Sequence, residues 1–273
     1  MKIILNIIPR LRSTIHQGLT LLFLTVIAPY SSLSQTHTLE SDSIQYKNLR
    51  ATAFYKSRTI KFVAAPALLT SYGLLTMKDK DVFISSEDVY EFRQQNFTNF
   101  HSTIDNYLPS VPIAAVYLLN LAGVKGKNNF INRTILIAIA TPISDKITHM
   151  LKSSTAVARP DKSDFESFPS AHTAAAFVAA EFLHQEFKDK SIWYSIAGYT
   201  TASMVGAFRI LNNKHWMSDV FVGAAIGIVT VKSLYVVYPW LLGKLKRSKK
   251  EKVVAIMPSF NGSAKGLTLI YKL

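Results

Sequence analysis

Three short stretches of the sequence hold cations, histidines and a carboxylate at spacings that could bring them together on one ligand. The cations are Lys152, Arg159 and Arg209. A phosphate group needs several positive donors of this kind, which hold its oxygens and stabilise the charge of a transition state. A guanidinium can also give a phosphate two parallel hydrogen bonds, so the two arginines suit this ligand. The residue types therefore indicate phosphate chemistry.

Two histidines could carry out that chemistry. His215 and Asp219 are four residues apart, so both lie on one face if His215 opens a helix. The carboxylate would then accept a hydrogen bond from one ring nitrogen and leave the other free to attack phosphorus. His172, at the start of another helix-like run, could protonate the leaving oxygen as a general acid. Each residue alone is more often an ordinary surface or capping group, so the prediction depends on all three stretches occurring together.

The stretch Pro169-Ser170-Ala171-His172 precedes an alanine-rich run at 173–180. The free N–H groups and the positive dipole end of a helix N-terminus suit an anion. Ser170 can cap this helix or donate a hydrogen bond to a phosphate oxygen, and the sequence leaves both roles open.

The order and spacing of these stretches resemble the signature of the type 2 phosphatidic acid phosphatase and vanadium haloperoxidase superfamily. That signature is Lys-x6-Arg-Pro, then Pro-Ser-Gly-His, then Ser-Arg-x5-His-x3-Asp. The first part matches fully at Lys152, Arg159 and Pro160, and the other two match except at Ala171 and Phe208. The resemblance covers roughly residues 107–242, and the fixed spacing makes it specific.

The resemblance implies a role for each matching residue. His215 would be the nucleophile that forms a phosphohistidine, Asp219 would orient it, and His172 would be the general acid. The phosphate would be bound by Lys152, Arg159, Ser170, the backbone at Ala171, and Arg209. Family members of this kind need no metal, so we expect neither a metal nor another cofactor.

Two positions depart from the signature and differ in their expected effect. Glycine at position 171 would let the backbone approach a phosphate closely, whereas Ala171 keeps an N–H contact only if its φ angle stays negative. Phe208 cannot donate the hydrogen bond of the serine that it replaces, so we expect one oxygen contact to be lost. Neither change removes the nucleophile, the acid or a cation.

Composition excludes several other kinds of site. The chain has 273 residues, is 49% hydrophobic with a mean hydropathy of +0.18, and has no cysteine, which rules out disulfides and zinc thiolate sites. The net charge of +14 could suggest nucleic acid, but more than half of it lies at 2–12 and 244–252, beside apolar runs. Such flanking clusters are topology signals of membrane proteins. We therefore expect a membrane bilayer as a partner and no nucleic acid, and the resemblance implies a lipid phosphate as the substrate.

The elements that must position these residues are predicted to be membrane-associated helices. About 20 apolar residues are needed to cross a bilayer, and six runs approach that length, at 60–77, 107–124, 134–151, 172–187, 192–210 and 218–242. The fourth is weak because it contains acidic residues, and a partly buried helix is the alternative. Gly223 and Gly227 form a small-x-x-x-small pattern that favours helix packing. We expect an all-α, membrane-associated bundle with the phosphate site at its periplasmic face.

Four parts of the chain are distinguished. Residues 1–34 have the basic start, apolar core and small residues of a cleaved signal peptide, with an uncleaved anchor as the alternative. Residues 35–106 would be a periplasmic or interfacial segment, in which 78–106 has an amphipathic pattern. The bundle with the site would occupy 107–242, followed at 243–273 by a basic tail with a weak hairpin.

The combined prediction is a metal-independent phosphatase that acts on a lipid phosphate or diphosphate through a phosphohistidine. The resemblance implies three candidate substrate classes: isoprenyl diphosphates, phosphatidate or phosphatidylglycerophosphate, and the phosphate of a lipid A-type glycolipid. The expected location is a bacterial inner membrane, with the site facing the periplasm. A soluble, secreted acid phosphatase in the periplasm is the main alternative. A vanadium haloperoxidase and a non-catalytic lipid-phosphate-binding protein are disfavoured, by the short chain and by the complete catalytic set respectively.

Charge distribution determines the expected topology. Cationic loops at 125–133 and 244–252 mark the cytoplasmic side. Working back along the apolar runs, residue 106 is expected to be periplasmic, and a cleaved signal would leave residue 35 periplasmic as well. Segment 60–77 therefore cannot cross the bilayer once, and we expect it to be a re-entrant or surface helix.

Reporter fusions at residues 50 and 100 test this topology. Both reporters should lie on the periplasmic side, because the segment between the two fusion points does not cross the membrane in this arrangement. Reporters on opposite sides of the membrane would show that 60–77 crosses, and that the signal-peptide prediction is wrong.

Overall fold

Helices dominate the part of the chain that the computed structural model describes, residues 58–78, 83–250, 253–261 and 264–272. The predicted signal peptide lies outside the described residues. In chain order the helices are α1 (Arg58–Lys78), α2 (Ser86–Asn96), α3 (Ser110–Leu121), α4 (Phe130–Thr155), α5 (Ala171–Phe187), α6 (Ile192–Leu211) and α7 (Met217–Lys250). A short 3-10 turn at Ile104–Asn106 lies between α2 and α3. Of the six apolar runs predicted to be helices, five lie within one of these helices, and 107–124 extends three residues beyond α3 at each end. The all-α fold class is confirmed.

The tail forms an antiparallel hairpin. Strand β1 (Val253–Asn261) pairs with β2 (Ala264–Lys272), and the register sets Val253 opposite Lys272. The alternating pattern of the tail predicted a hairpin in this region.

Helix α5 is the centre of the bundle. It packs against α3, α4, α6 and α7, and most of its residues are buried. Its small side chains allow this close packing on all sides, since Ala174, Ala176, Ala179 and Ala180 are buried. Of the two interpretations of this run, a membrane crossing and a partly buried helix, the buried helix describes α5 better. Its burial is more complete than the sequence predicted.

Acidic residues inside α5 are held by hydrogen bonds rather than by solvent. Glu186 accepts hydrogen bonds from Tyr235 Oη at 2.6 Å and from Asn128 Nδ2 at 2.7 Å, and it lies 3.4 Å from Arg133 Nη2. Glu181 is likewise bonded to Gln185 and Tyr199. A buried charge without such partners would cost several kcal/mol. These bonds therefore explain how a helix with two glutamates can form the core.

Helices α5 and α7 meet backbone to backbone. A Cβ atom built on Gly227 would lie 2.4 Å from the carbonyl oxygen of Ala174, and one on Gly223 would lie 2.6 Å from that of Ser170. Side-chain carbons do not approach carbonyl oxygens so closely, so only glycine permits this packing. The small-x-x-x-small pattern serves helix packing, as the sequence predicted.

The outer face of the bundle is apolar. An exposed stripe runs along α4 at four-residue spacing, which places its members on one helix face: Ile131, Ile135, Ile139, Ile143 and Ile147. Large apolar patches are rare on soluble monomers and mark membrane or protein contacts. By length and composition, Met217–Lys244 is the one helix in the described ranges that could cross a membrane, and Phe62–Met77 and Ser110–Leu121 are shorter apolar helices.

Helix α1 is one uninterrupted helix with Pro66 inside it. It packs against α7, with Gly73 close to Val222. Its opposite face is open, and Leu68 is 71% exposed. Both alternatives for segment 60–77, a re-entrant or a surface helix, stay predictions.

The glycine contact predicts a difference between two substitutions in the same helix. Gly227→Ala should destabilise the protein by about 1–3 kcal/mol, as overpacking does, because its methyl group meets backbone. Gly243→Ala is the matched control, since nothing lies within 4 Å of a Cβ at that position. Thermal unfolding in detergent should show a lower Tm for the first variant and an unchanged or higher Tm for the second. Equal Tm values for the two variants would contradict this account of the α5–α7 contact.

Candidate active site

The three predicted stretches meet at one end of the bundle. Lys152 lies in the last turn of α4 and Arg209 in the last turn of α6. Ser170 is the N-cap of α5, and His215 comes just before α7. The two N-terminal ends are joined directly, because Ser170 N donates a hydrogen bond to the Asp219 carbonyl oxygen at 3.1 Å. The site is thus built from two helix C-termini and two helix N-termini.

The long loop between α4 and α5 is fastened to the turn between α6 and α7. Trp216 Nε1 donates to the Ala158 carbonyl oxygen at 2.8 Å. Lys214 Nζ lies 2.6 Å from Asp161 Oδ2, and Asp161 N donates to the Asn213 carbonyl oxygen at 3.2 Å. These bonds hold the first and third sequence stretches against each other.

The His215–Asp219 pair predicted from the four-residue spacing is present and buried. Oδ2 of Asp219 lies 3.3 Å from His215 Nδ1, and it also accepts from Trp216 N at 2.8 Å and Ser167 Oγ at 2.5 Å. The arrangement fixes the ring, with Nδ1 turned towards the carboxylate. His215 Nε2 has no hydrogen-bond partner within the described ranges.

The protonation of His215 follows from its burial. Removal from water lowers the pKa of the imidazole to about 4, although Asp219 pulls in the opposite direction and the charges of Arg209 and Lys152 lower it further. The ring is therefore neutral at neutral pH, with a lone pair on Nε2. A neutral imidazole in this orientation can act as a nucleophile.

Ser170 and Ala171 form the start of α5. Ser170 Oγ accepts from Thr173 N at 3.4 Å and lies 2.9 Å from Thr173 Oγ1, so of the two roles left open the structure contains the cap. Contact of Ser170 with a phosphate stays a prediction. Ala171 is helical with no positive φ, so the condition for an N–H contact at this position is met. Its N–H is one of the first helical groups, which have no partner within the helix.

Each of the three cations has a partner within the protein. Arg159 Nε lies 2.7 Å from Asp164 Oδ1, and Arg209 Nη1 lies 2.8 Å from Asp105 Oδ2. Lys152 Nζ donates to backbone carbonyl oxygens of Glu166 and Ser167. Arg209 Nε is buried without a partner among the residues described. The cations are thus held in place by the protein before any ligand is present.

Three polar residues of the site were missed from the sequence: Asp105, Asn106 and Ser167. Asp105 is bonded to Arg209, and Asn106 Oδ1 lies 3.1 Å from His172 Nε2. Asp105 and Asn106 lie in segment 78–106, for which the sequence showed only an amphipathic pattern. The structure there is α2 followed by a 3-10 turn. One signal was available, because Asp105 and Asn106 directly precede an apolar run, as the other site residues adjoin theirs.

Phe208, at the position of the signature's serine, has a packing role. Its ring stacks on Phe100 with a centroid distance of 5.9 Å, and Phe100 in turn contacts Phe97 at 6.4 Å. The lost hydroxyl donor is therefore replaced by an aromatic contact that attaches the segment before the 3-10 turn to α6.

The fold and the site together define a class: a helical bundle with a buried histidine–carboxylate pair and three cations at one end. Residues 133–242 match the family model of the PAP2 superfamily. The match covers the stretches that hold the three cations and the His215–Asp219 pair, and it confirms the resemblance found in the sequence.

One curated protein is similar in sequence to part of this chain. The lipid A 1-phosphatase of Porphyromonas gingivalis is 38% identical over 148 residues, a match that covers 54% of this chain and 33% of that protein. The matched part thus spans about a third of the length of the curated relative.

Two solved structures are also similar. LpxE of Aquifex aeolicus is 22% identical, with 52% of this chain and 90% of that chain covered and a TM-score of 0.39. A transmembrane PAP2 type phosphatidylglycerolphosphate phosphatase of Bacillus subtilis is 20% identical, with 65% and 96% covered and a TM-score of 0.44.

The lowered pKa of His215 predicts a pH-dependent stability difference. An unfolded histidine takes up a proton near pH 6.5, whereas folded His215 stays neutral down to about pH 4. The stability that His215 contributes is therefore complete above about pH 6.5 and is lost as the pH falls towards 4. His215→Asn keeps an N–H that can donate to Asp219 but cannot titrate, so its Tm should fall less than that of the wild type between pH 7 and pH 4. Parallel Tm curves for the two proteins would contradict a buried, neutral His215.

Proposed function

We propose that the protein is a metal-independent phosphatase that hydrolyses a phosphate or diphosphate ester of a lipid. The observation that carries the proposal is the buried His215, oriented by Asp219 and with its second nitrogen unbonded, beside three cations at one end of an apolar-faced bundle. The match of residues 133–242 to the superfamily supports this reaction class.

The reaction proceeds in two steps. In the first, His215 Nε2 attacks phosphorus, the bond to the leaving oxygen breaks, and His172 gives that oxygen its proton. In the second, His172 takes a proton from water, and the resulting hydroxide oxygen displaces the phosphoryl group from Nε2 as inorganic phosphate. Asp219 keeps the ring aligned in both steps and stabilises the positive charge that develops on it.

The cations stabilise the phosphoryl oxygens in the transition state. Lys152, Arg159 and Arg209 already have their positions, so little reorganisation accompanies binding. Arg159 is the cation whose present partner is easiest to displace, since Asp164 is 45% exposed. Ser170 and the N–H of Ala171 would add donors from the start of α5. This set supplies the positive charge for which other phosphatases use a metal ion.

The apolar surface favours a lipid substrate over a soluble one. The isoleucine face of α4 and the length of α7 suit a bilayer. Helix α4 ends at the site and α7 begins there. A lipid could then keep its chains in the membrane while its phosphate headgroup enters the site between the three cations and His215. The curated relative acts on lipid A, which makes the phosphate of a lipid A-type glycolipid the first candidate, ahead of isoprenyl diphosphate, phosphatidate and phosphatidylglycerophosphate.

We assign the protein to a bacterial inner membrane, with the site facing the periplasm. The basic turn before α4, with Lys125 and Lys127, lies at the other end of α4 from Lys152. Basic residues favour the cytoplasmic side, so the site would face the opposite side.

Phosphate release from a panel of substrates tests the proposed function. The purified protein in detergent micelles should hydrolyse long-chain lipid phosphates much faster than glucose 6-phosphate or a small aryl phosphate at equal concentration, because micelles concentrate and orient the lipid. His215→Ala should abolish both turnover and labelling by a radioactive phosphoryl group, and vanadate should inhibit as a phosphate mimic. Activity should persist in EDTA.

Each alternative has its own outcome in this assay. Equal or faster hydrolysis of the water-soluble esters would support a soluble-type acid phosphatase. Loss of activity in EDTA that a divalent ion restores would contradict the metal-independent mechanism, and halide oxidation with added vanadate would indicate a haloperoxidase.

A further inference from the structure

The 3-10 turn at Ile104–Asn106 brings two neighbouring side chains to two different groups of the site. Asp105 Oδ2 lies 2.8 Å from Arg209 Nη1, and Asn106 Oδ1 lies 3.1 Å from His172 Nε2. Both contacts join residues that are far apart in the chain. Neither Asp105 nor Asn106 belongs to the three sequence stretches.

Hydrogen bonds hold this turn against the end of α6. Asn212 Nδ2 donates to the Ser102 carbonyl oxygen at 2.8 Å, and Ser102 N donates to Asn212 Oδ1 at 2.9 Å. Asn212 Nδ2 also lies 3.3 Å from Asp105 Oδ1. Asp105 itself is 1% exposed. Ser102 and Asp105 therefore fasten the turn to the end of α6, while Ile104 and Asn106 are exposed.

The contact with Asn106 determines which nitrogen of His172 can reach a substrate. An amide oxygen can only accept a hydrogen bond, so His172 Nε2 carries a hydrogen and donates it. The other nitrogen, Nδ1, is then the one left for proton transfer. Asn106 thus does for His172 what Asp219 does for His215, with the roles of the two ring nitrogens exchanged.

We propose that Asn106 is a positioning residue that directs Nδ1 of His172 to the leaving oxygen, while Asp105 positions Arg209 for the phosphate. The inference rests on the proposed function. When the bond between phosphorus and the leaving oxygen breaks, Nδ1–H of the imidazolium gives its proton to that oxygen, and Nε2–H stays bonded to Asn106. His172 is then the neutral Nε2–H tautomer, whose Nδ1 can accept a proton from water in the second step.

The difference between the two partners suits the two tasks. A carboxylate beside a ring stabilises the positive charge of that ring, which is what the nucleophile needs once it has formed a bond to phosphorus. The acid must instead release its proton within each cycle. A neutral amide orients the ring of His172 without adding a full negative charge that would retain the proton.

Leaving-group dependence separates the roles of Asn106 and Asp105. A long-chain alkylphenyl phosphate and a long-chain alkyl phosphate, assayed in the same micelles, differ in how much their leaving oxygen needs a proton. Asn106→Ala should lower kcat for the alkyl ester about tenfold or more, and for the aryl ester less than threefold. Asn106→Gln keeps a neutral amide oxygen as the acceptor and should restore most of the wild-type ratio of the two kcat values. Asp105→Asn should raise KM for both esters by the same factor.

His172→Ala is the reference that separates failure of this inference from failure of the proposed function. If the wild type hydrolyses neither ester, or if His172→Ala lowers both kcat values equally, the proposed function or its acid is wrong. If His172→Ala is selective for the alkyl ester but Asn106→Ala lowers both kcat values equally, Asn106 has only a structural role and the inference is overturned. The inference would also be overturned if Asn106→Gln gave the same ratio of the two kcat values as Asn106→Ala.

Discussion

The carboxylate of Asp219 is the point on which the rest of the site depends. It is fully buried, and one of its oxygens receives hydrogen bonds from a serine of the α4–α5 loop and from the backbone before α7, besides its contact with His215. Its own backbone carbonyl accepts from the start of α5. A buried carboxylate needs these donors, so the segments that supply them have to converge. The hydrogen bonds that stabilise this charge therefore also bring the loop, the two helix N-termini and His215 together around it.

The three cations of the site need acceptors, just as the buried carboxylate needs donors. Three cations at one end of the bundle repel one another, and each is matched by an acceptor, either a carboxylate or backbone carbonyl oxygens. The partners differ in burial: Asp105 is enclosed, whereas Asp164 is on the surface. A dianionic phosphate can thus replace the exposed partner and leave the enclosed one in place. The contact between Asp105 and Arg209 is therefore a permanent part of the site, whereas the contact between Asp164 and Arg159 can be exchanged for a ligand.

Contacts between residues close together in the sequence could be predicted, and contacts between distant residues could not. The four-residue spacing of His215 and Asp219 gave their contact, because a helix fixes that geometry. The glycines of α7 gave a packing face for the same reason. Asp105 and Asn106 were missed because their partners lie 104 and 66 residues further along the chain, and no periodicity connects them. Run 172–187 was judged weak as a membrane crossing because acidic residues lie within it. Its burial in the core depends on distant partners, such as Arg133 and Tyr235 for Glu186, which no local pattern reveals. For α1, charge-based topology indicated only that 60–77 does not cross the bilayer once. The continuous helix and its packing against α7 depend on tertiary contacts that the sequence pattern does not show.

The glycine contact between α5 and α7 has a consequence for how such proteins diversify. His172 lies in the first turn of α5 and His215 just before α7, and the backbones of these two helices touch with no side chain between them that could be exchanged for a larger or smaller one. Mutation can therefore remodel the surrounding loops without altering the separation of the two histidines. With the roles proposed above, substrate preference and reaction chemistry would be determined by different parts of the molecule and could evolve separately.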